Sequence, residues 1–189
     1  AEATFSYMTY FADMNVSYVT AGFQAGRIGN FGLSLQSMDI GEIDVTTIDA
    51  PEGTGQILKP DFLTLTGTFS KLLTDRIMFG TNVKLITERI GNMSASAFAF
   101  DFGLQYRSDM GIDFGVTLRN LGSSIEFDGT GIEFNSGIPF ANPNATTRKT
   151  KLDMSSNELP TSLNIGLAYR YQINEEQKLN VTGQFANNG

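Results

Sequence analysis

The chain has 189 residues, with 13 Lys and Arg against 20 Asp and Glu, for a net charge of -7. It holds no basic run that could neutralise phosphates, so nucleic acid is not an expected partner. It has no Cys and no His, which removes a disulfide framework, thiolate chemistry, most zinc sites and the usual general base.

Alternation with a period of two runs through the chain, the mark of strands with one dry face. Residues 4–10 (Thr-Phe-Ser-Tyr-Met-Thr-Tyr) are an expected partner strand, and 15–24 is strand-like with unclear facing. Phe31, Leu33 and Leu35 oppose Asn30, Gly32, Ser34 and Gln36. Leu63, Leu65, Gly67 and Phe69 oppose Thr64, Thr66, Thr68 and Ser70. Ile77, Phe79, Thr81, Val83 and Leu85 oppose Met78, Gly80, Asn82, Lys84 and Ile86. In 97–107, Phe98, Phe100, Phe102, Leu104 and Tyr106 oppose Ala97, Ala99, Asp101, Gly103, Gln105 and Arg107. Ile112, Phe114, Val116 and Leu118 oppose Asp113, Gly115, Thr117 and Arg119. Leu163, Ile165, Leu167, Tyr169 and Tyr171 oppose Asn164, Gly166, Ala168 and Arg170, and Leu179, Val181, Gly183 and Phe185 oppose Asn180, Thr182 and Gln184. No segment has a helical period, and no apolar run approaches the roughly 20 residues of a transmembrane helix.

The asymmetry of the faces carries the information. No charged residue lies on these apolar faces, while the opposite faces are mostly Gly, Ala, Ser, Thr and Asn. A solvent-facing sheet usually carries many Lys and Glu; small residues suit the crowded interior of a barrel. Mean hydropathy is -0.10, as in membrane barrels, where every second residue faces the lumen. The connections alternate between long (38–61, 119–162) or medium (87–96) and short (72–76, 108–111, 172–178). That alternation fits longer extracellular loops and short periplasmic turns. The expected fold is all-β, an antiparallel up-and-down transmembrane β-barrel, with residues 1–189 forming a single barrel domain.

Phe69, Tyr106, Tyr169 and Tyr171 lie on the apolar face beside the short turns, where an aromatic girdle would meet one membrane interface. Lys84, Asp101, Arg107, Asp113, Arg119 and Arg170 are expected inside as a polar lumen network. If the hairpin closes around 108–110, Gln105 opposes Asp113, Ala99 opposes Arg119, and Asp101 lies diagonal to Arg119 within reach of an ion pair. Glu42, Asp44, Asp49 and Glu52 cluster in the first long loop at spacings that match no EF-hand, so a solvated acidic loop is expected rather than a calcium site. The second long loop holds Pro139, Pro143 and the basic run Arg148-Lys149-Thr150-Lys151, and its length suits a partner-binding surface. Sequons at Asn15, Asn92, Asn144 and Asn180 are short patterns that arise by chance. No nucleophile–base, phosphate-binding or dinucleotide motif is present, so no catalytic residue, cofactor or metal is expected.

Gly32-Leu-Ser-Leu, Asp39-Ile-Gly-Glu-Ile, Pro51-Glu-Gly-Thr-Gly, Leu73-Thr-Asp-Arg, Gly91 to Gly103, Asn120-Leu-Gly with Ile125-Glu-Phe-Asp-Gly, and Leu159-Pro with Asn164-Ile-Gly-Leu-Ala-Tyr follow one another along the chain. Together these short runs resemble the PorV/PorQ family of outer-membrane proteins. The resemblance implies a FadL-like barrel of about 14 strands, of which this chain supplies about nine, without the N-terminal plug region and the final strands. It implies the outer membrane of a Gram-negative, Bacteroidetes-type bacterium and a non-enzymatic role in type IX secretion. The implied partners are outer-membrane lipid, secreted cargo proteins and other secretion components. A FadL-like channel for hydrophobic small molecules is the alternative.

Overall fold

The computed structural model describes residues 1–11, 14–129, 133–136, 148–151, 156–172, 174 and 177–188. The chain is all-β. Nine consecutive antiparallel strands build one sheet: β1 (Glu2–Thr9), β2 (Asn15–Gln24), β3 (Asn30–Asp39), β6 (Asp61–Leu72), β7 (Ile77–Ile90), β8 (Met93–Arg107), β9 (Ile112–Gly122), β13 (Ser162–Gln172) and β14 (Lys178–Asn188). Their order in the sheet is their order in the chain, so the topology is a meander. Three short pieces decorate the loops. β4 (Ile43–Asp44) pairs with β5 (Ile57–Leu58), β10 (Asp128–Gly129) extends the edge of β8, and β11 (Glu133–Ser136) pairs with β12 (Arg148–Lys151).

The expected strands and their facing are all present, and 15–24, ambiguous in sequence, is β2. Its register settles the facing: Val19 pairs with Phe5 and with Leu35. One unbroken cross-strand row then reads Phe5, Val19, Leu35, Leu65, Leu85, Phe98. On the other face a second row reads Gly22, Gly32, Thr68, Asn82, Asp101. Because the side-chain period is two, a one-residue slip anywhere would exchange these rows.

The long connections 40–60 and 123–161 leave the same end of the sheet. The medium gap expected at 87–96 is not a loop: β7 and β8 continue to a tight turn at Gly91 and Asn92, with Gly91 at φ 57. That left-handed value favours glycine. The β7–β8 hairpin therefore projects as paired strand at the long-loop end, because Ser94 and Ser96 keep pairing with Arg89 and Thr87.

At the other end the turn chemistry is as the residues suggest. Thr74 Oγ1 accepts from the amides of Arg76 and Ile77, Ser108 Oγ from that of Met110, and Asn174 Oδ1 from that of Gln177. An Arg76–Asp109 ion pair links two neighbouring turns. Pro139, Pro143 and Asn144 fall outside the described residues.

In the first long loop the Glu42 carboxylate lies 2.6 Å from Lys59 Nζ. Its hydrogen bond first, and its charge second, hold the Lys59 ammonium above the usual 10.5. A raised lysine contributes fully below its unfolded value and loses that contribution as pH rises through the folded one. Both groups are well exposed, so the contribution is small. By NMR, the Lys59 titration midpoint should lie above 10.5 and return toward it in Glu42→Gln; no change on substitution would refute the pairing.

Candidate functional site

Burial in this sheet is inverted. The large apolar-face side chains of β8 are exposed, Phe98 by 57%, while Ala97 and Ala99 on the opposite face are 1% and 0% exposed. Leu35, Leu65, Val83, Phe100, Phe102, Leu104, Phe114 and Leu167 are likewise exposed. Among the described residues the buried hydrophobic set is Ala95, Ala97, Ala99 and Ile125.

Phe69, Tyr106, Tyr169 and Tyr171 all stand on the exposed apolar face, toward the short turns. Tyr169 and Tyr171 stack with ring centroids 6.3 Å apart. Phe69 joins a cluster that sequence reading missed, with Phe31 at 5.2 Å and Phe23 a further 5.7 Å on. The cross-strand pairs Phe23–Phe31 and Phe31–Phe69 create it. It was hidden because the facing of β2 could not be read from its own pattern.

The polar face contains two ionic clusters. In the first, Asp101 receives Lys84 Nζ at 2.8 Å, the Asn120 amide at 2.9 Å and the Asn82 side chain at 3.1 Å. The Lys84 and Asp101 side chains are only 13% and 11% exposed. Asn82 is directly across from Asp101, and Lys84 is two residues further, on the same face.

The expected Asp101–Arg119 pair does not form, and Arg119 pairs with no described carboxylate although it lines the same recess. The register explains this. Arg107 opposes Asp113 and Gln105 opposes Gly115, two residues from the expected alignment, so the faces were right and the partners wrong. A bulge then follows: Phe102 pairs with Leu118 but Phe100 with Leu121, so Arg119 and Asn120 together oppose Asp101. Ala99 consequently faces Gly122 rather than Arg119.

Asn120 carries the bulge at φ 57, a value that Asn tolerates better than most residues. Its side chain accepts from Lys84 Nζ at 3.0 Å and donates to the Pro160 carbonyl at 3.1 Å, and its own carbonyl accepts from Thr161. Asn120→Ala keeps the strained φ and loses both side-chain bonds. It should cost about 1–3 kcal/mol in urea unfolding, with Asn120→Gly recovering only the backbone part; an unchanged midpoint for Asn120→Ala would contradict this geometry.

In the second cluster Asp113 bonds Arg170 at 2.9 Å and lies 3.9 Å from Arg107. The expected inward set thus divides into Lys84–Asp101 and Arg107–Asp113–Arg170, with Arg119 beside the first and unpaired among the described residues. Beyond the first cluster a trough of about 650 Å³ runs over Gly80, Gly103, Gly115 and Gly166, flanked by Gln105 and Gln184. Added Cβ atoms at these glycines would meet nothing closer than 3.6 Å, so the sheet itself does not demand glycine there. The described residues include no group of carboxylates able to hold a metal ion. Compared with protein-family models, curated proteins and solved structures, the chain matches none.

Proposed function

We propose that the sheet is the wall of an outer-membrane β-barrel, with its apolar face to lipid and its polar face to a lumen. The inverted burial carries this reading. Left in water, half-exposed Phe and Leu side chains would each forgo on the order of 1 kcal/mol. Contiguous over nine strands, such a face is larger than the few hundred Å² that a soluble monomer usually exposes.

Residues Phe98 to Tyr106 cover about 26 Å of strand at about 3.3 Å per residue, enough for most of a tilted crossing of the apolar band. The stacked aromatics at the short-turn end fit an interfacial girdle. A bilayer admits no open edge, so β1 and β14 must each be paired there. The two ionic clusters keep the lumen wall satisfied and rigid rather than performing chemistry.

The resemblance to the PorV/PorQ family adds the role: a non-enzymatic component of type IX secretion that binds or shuttles secreted proteins at the surface of a Gram-negative, Bacteroidetes-type cell. A second reading, a FadL-like channel for hydrophobic small molecules, is favoured by the trough. At about 650 Å³ it has the volume of a small-ligand site.

Affinity capture of the full-length protein from outer membranes, beside fatty-acid binding by the purified protein, tests both. Secreted proteins in the capture without saturable fatty-acid binding support the first reading. Saturable fatty-acid binding without cargo replaces it with the second. A monodisperse monomer without detergent would defeat both.

A further inference from the structure

The only buried apolar cluster among the described residues is not between strands. Ile125, in the second long loop, packs on Ala95 and Ala97 of β8, with Phe127 and Leu159 against it. Alanine is what admits the loop: these three side chains need the space that larger residues at 95 and 97 would fill.

The chain is steered onto this face at the end of β9. Gly122 passes so close to the Phe98 carbonyl that a Cβ there would collide with it. Ser123 then takes both backbone groups of Phe98, its amide donating to the carbonyl at 2.9 Å and its Oγ accepting from the amide at 3.1 Å. β10 goes on to pair with Ser94 and Met93. The returning end is stitched to the outgoing one: Ile125 and Asn157 exchange two backbone hydrogen bonds, 2.7 and 2.9 Å. Pro160 and Thr161 are held by Asn120, which the buried Lys84–Asp101 pair holds in turn.

We infer that residues 123–129 and 156–161 form an apolar strap, folded onto the polar face at its long-loop end, that bars bulky solutes from entering along β8. The role as an entrance device rests on the barrel reading; the coverage of β8 does not. It differs from a passive loop root because its anchors are apolar, inward and tied from both ends.

The chain has no cysteine, so a single cysteine placed in it, in a background free of any other cysteine, reports access cleanly. Ala97→Cys lies under the strap, and Thr117→Cys on the same face lies clear of it. In the full-length protein folded in detergent or vesicles, a polymer-bearing maleimide should modify Ala97→Cys about tenfold more slowly than Thr117→Cys, because reaction waits on local opening. Adding Ile125→Gly, Phe127→Gly and Leu159→Gly should bring Ala97→Cys up to the Thr117→Cys rate while leaving that rate unchanged. Asn157→Pro, which removes one of the two backbone bonds without touching the sheet, should act in the same direction if the triple variant does not fold. Equal rates in the parent protein, or a slow Ala97→Cys after the strap is released, would overturn the inference. Flotation with vesicles is scored separately, so a failed membrane reading leaves the labelling result standing.

Discussion

Phe100→Arg should cost about 2–4 kcal/mol in the unfolding of the full-length protein from phospholipid vesicles, the penalty for a guanidinium near the bilayer midplane. Phe100 lies in the middle of the apolar face, paired with Val83 and Leu121, and is 41% exposed. In the proposed lipid-facing wall, arginine there would lose an apolar contact and would have to snorkel or drag water inward. The same change on the polar face, Thr117→Arg, should stay within about 0.5 kcal/mol. A sheet whose apolar face met water would respond the other way, since a charge at Phe100 would relieve exposed hydrophobic surface. Denaturant titration of the two variants side by side gives the sign, which matters more than the magnitude.

The second large effect is expected on the polar face. Lys84→Met leaves the Asp101 carboxylate without its cation in a nearly buried site, which typically costs about 3–5 kcal/mol. Asp101→Asn should cost less, because the amide can still bond the Asn120 and Asn82 neighbours. In a double-mutant cycle the Lys84→Met/Asp101→Asn pair should show a coupling of at least about 1 kcal/mol. Arg119→Ala should be within about 0.5 kcal/mol of the parent, since Arg119 pairs with no described carboxylate. Additive losses at Lys84 and Asp101, or a large loss at Arg119, would refute the assignment of partners.

The contrast between Lys84 and Arg119 shows where the sequence is legible. Facing depends on parity alone, so the common polar face of Lys84, Asp101, Arg107, Asp113, Arg119 and Arg170 could be read from alternation. Partners depend on register, and register depends on turn geometry and bulges that no periodicity reports. The β8–β9 turn is two residues out from the simplest closure, and the bulge at Asp101 adds one more on β9 only. Gln105 kept its face and changed its neighbour, and Ala99 came to face Gly122.

The strap lay beyond reach for a different reason. Ile125 and Phe127 alternate with Glu126 and Asp128 over too few residues to mark a face, Leu159 stands alone, and what draws them onto the polar face is the small Ala95 and Ala97 of β8, which their own sequence does not report. The tight β7–β8 turn was hidden because Arg89, Gly91, Asn92 and Ser94 have the composition of a loop. They nonetheless flank or form a hairpin tip that projects from the sheet. The cluster of Phe23 and Phe31 with Phe69 needed only the register of β2.

The chain contains no tryptophan, which makes one measurement decisive for the orientation of the wall. Phe100→Trp and Thr117→Trp each place one indole, on the apolar or the polar face, in full-length protein otherwise free of tryptophan, folded into vesicles that contain brominated lipids. Strong quenching of Phe100→Trp with little or none of Thr117→Trp is the result a lipid-facing apolar surface predicts. An unquenched Phe100→Trp, or equal quenching at the two positions, would contradict a sheet that spans the bilayer in this orientation.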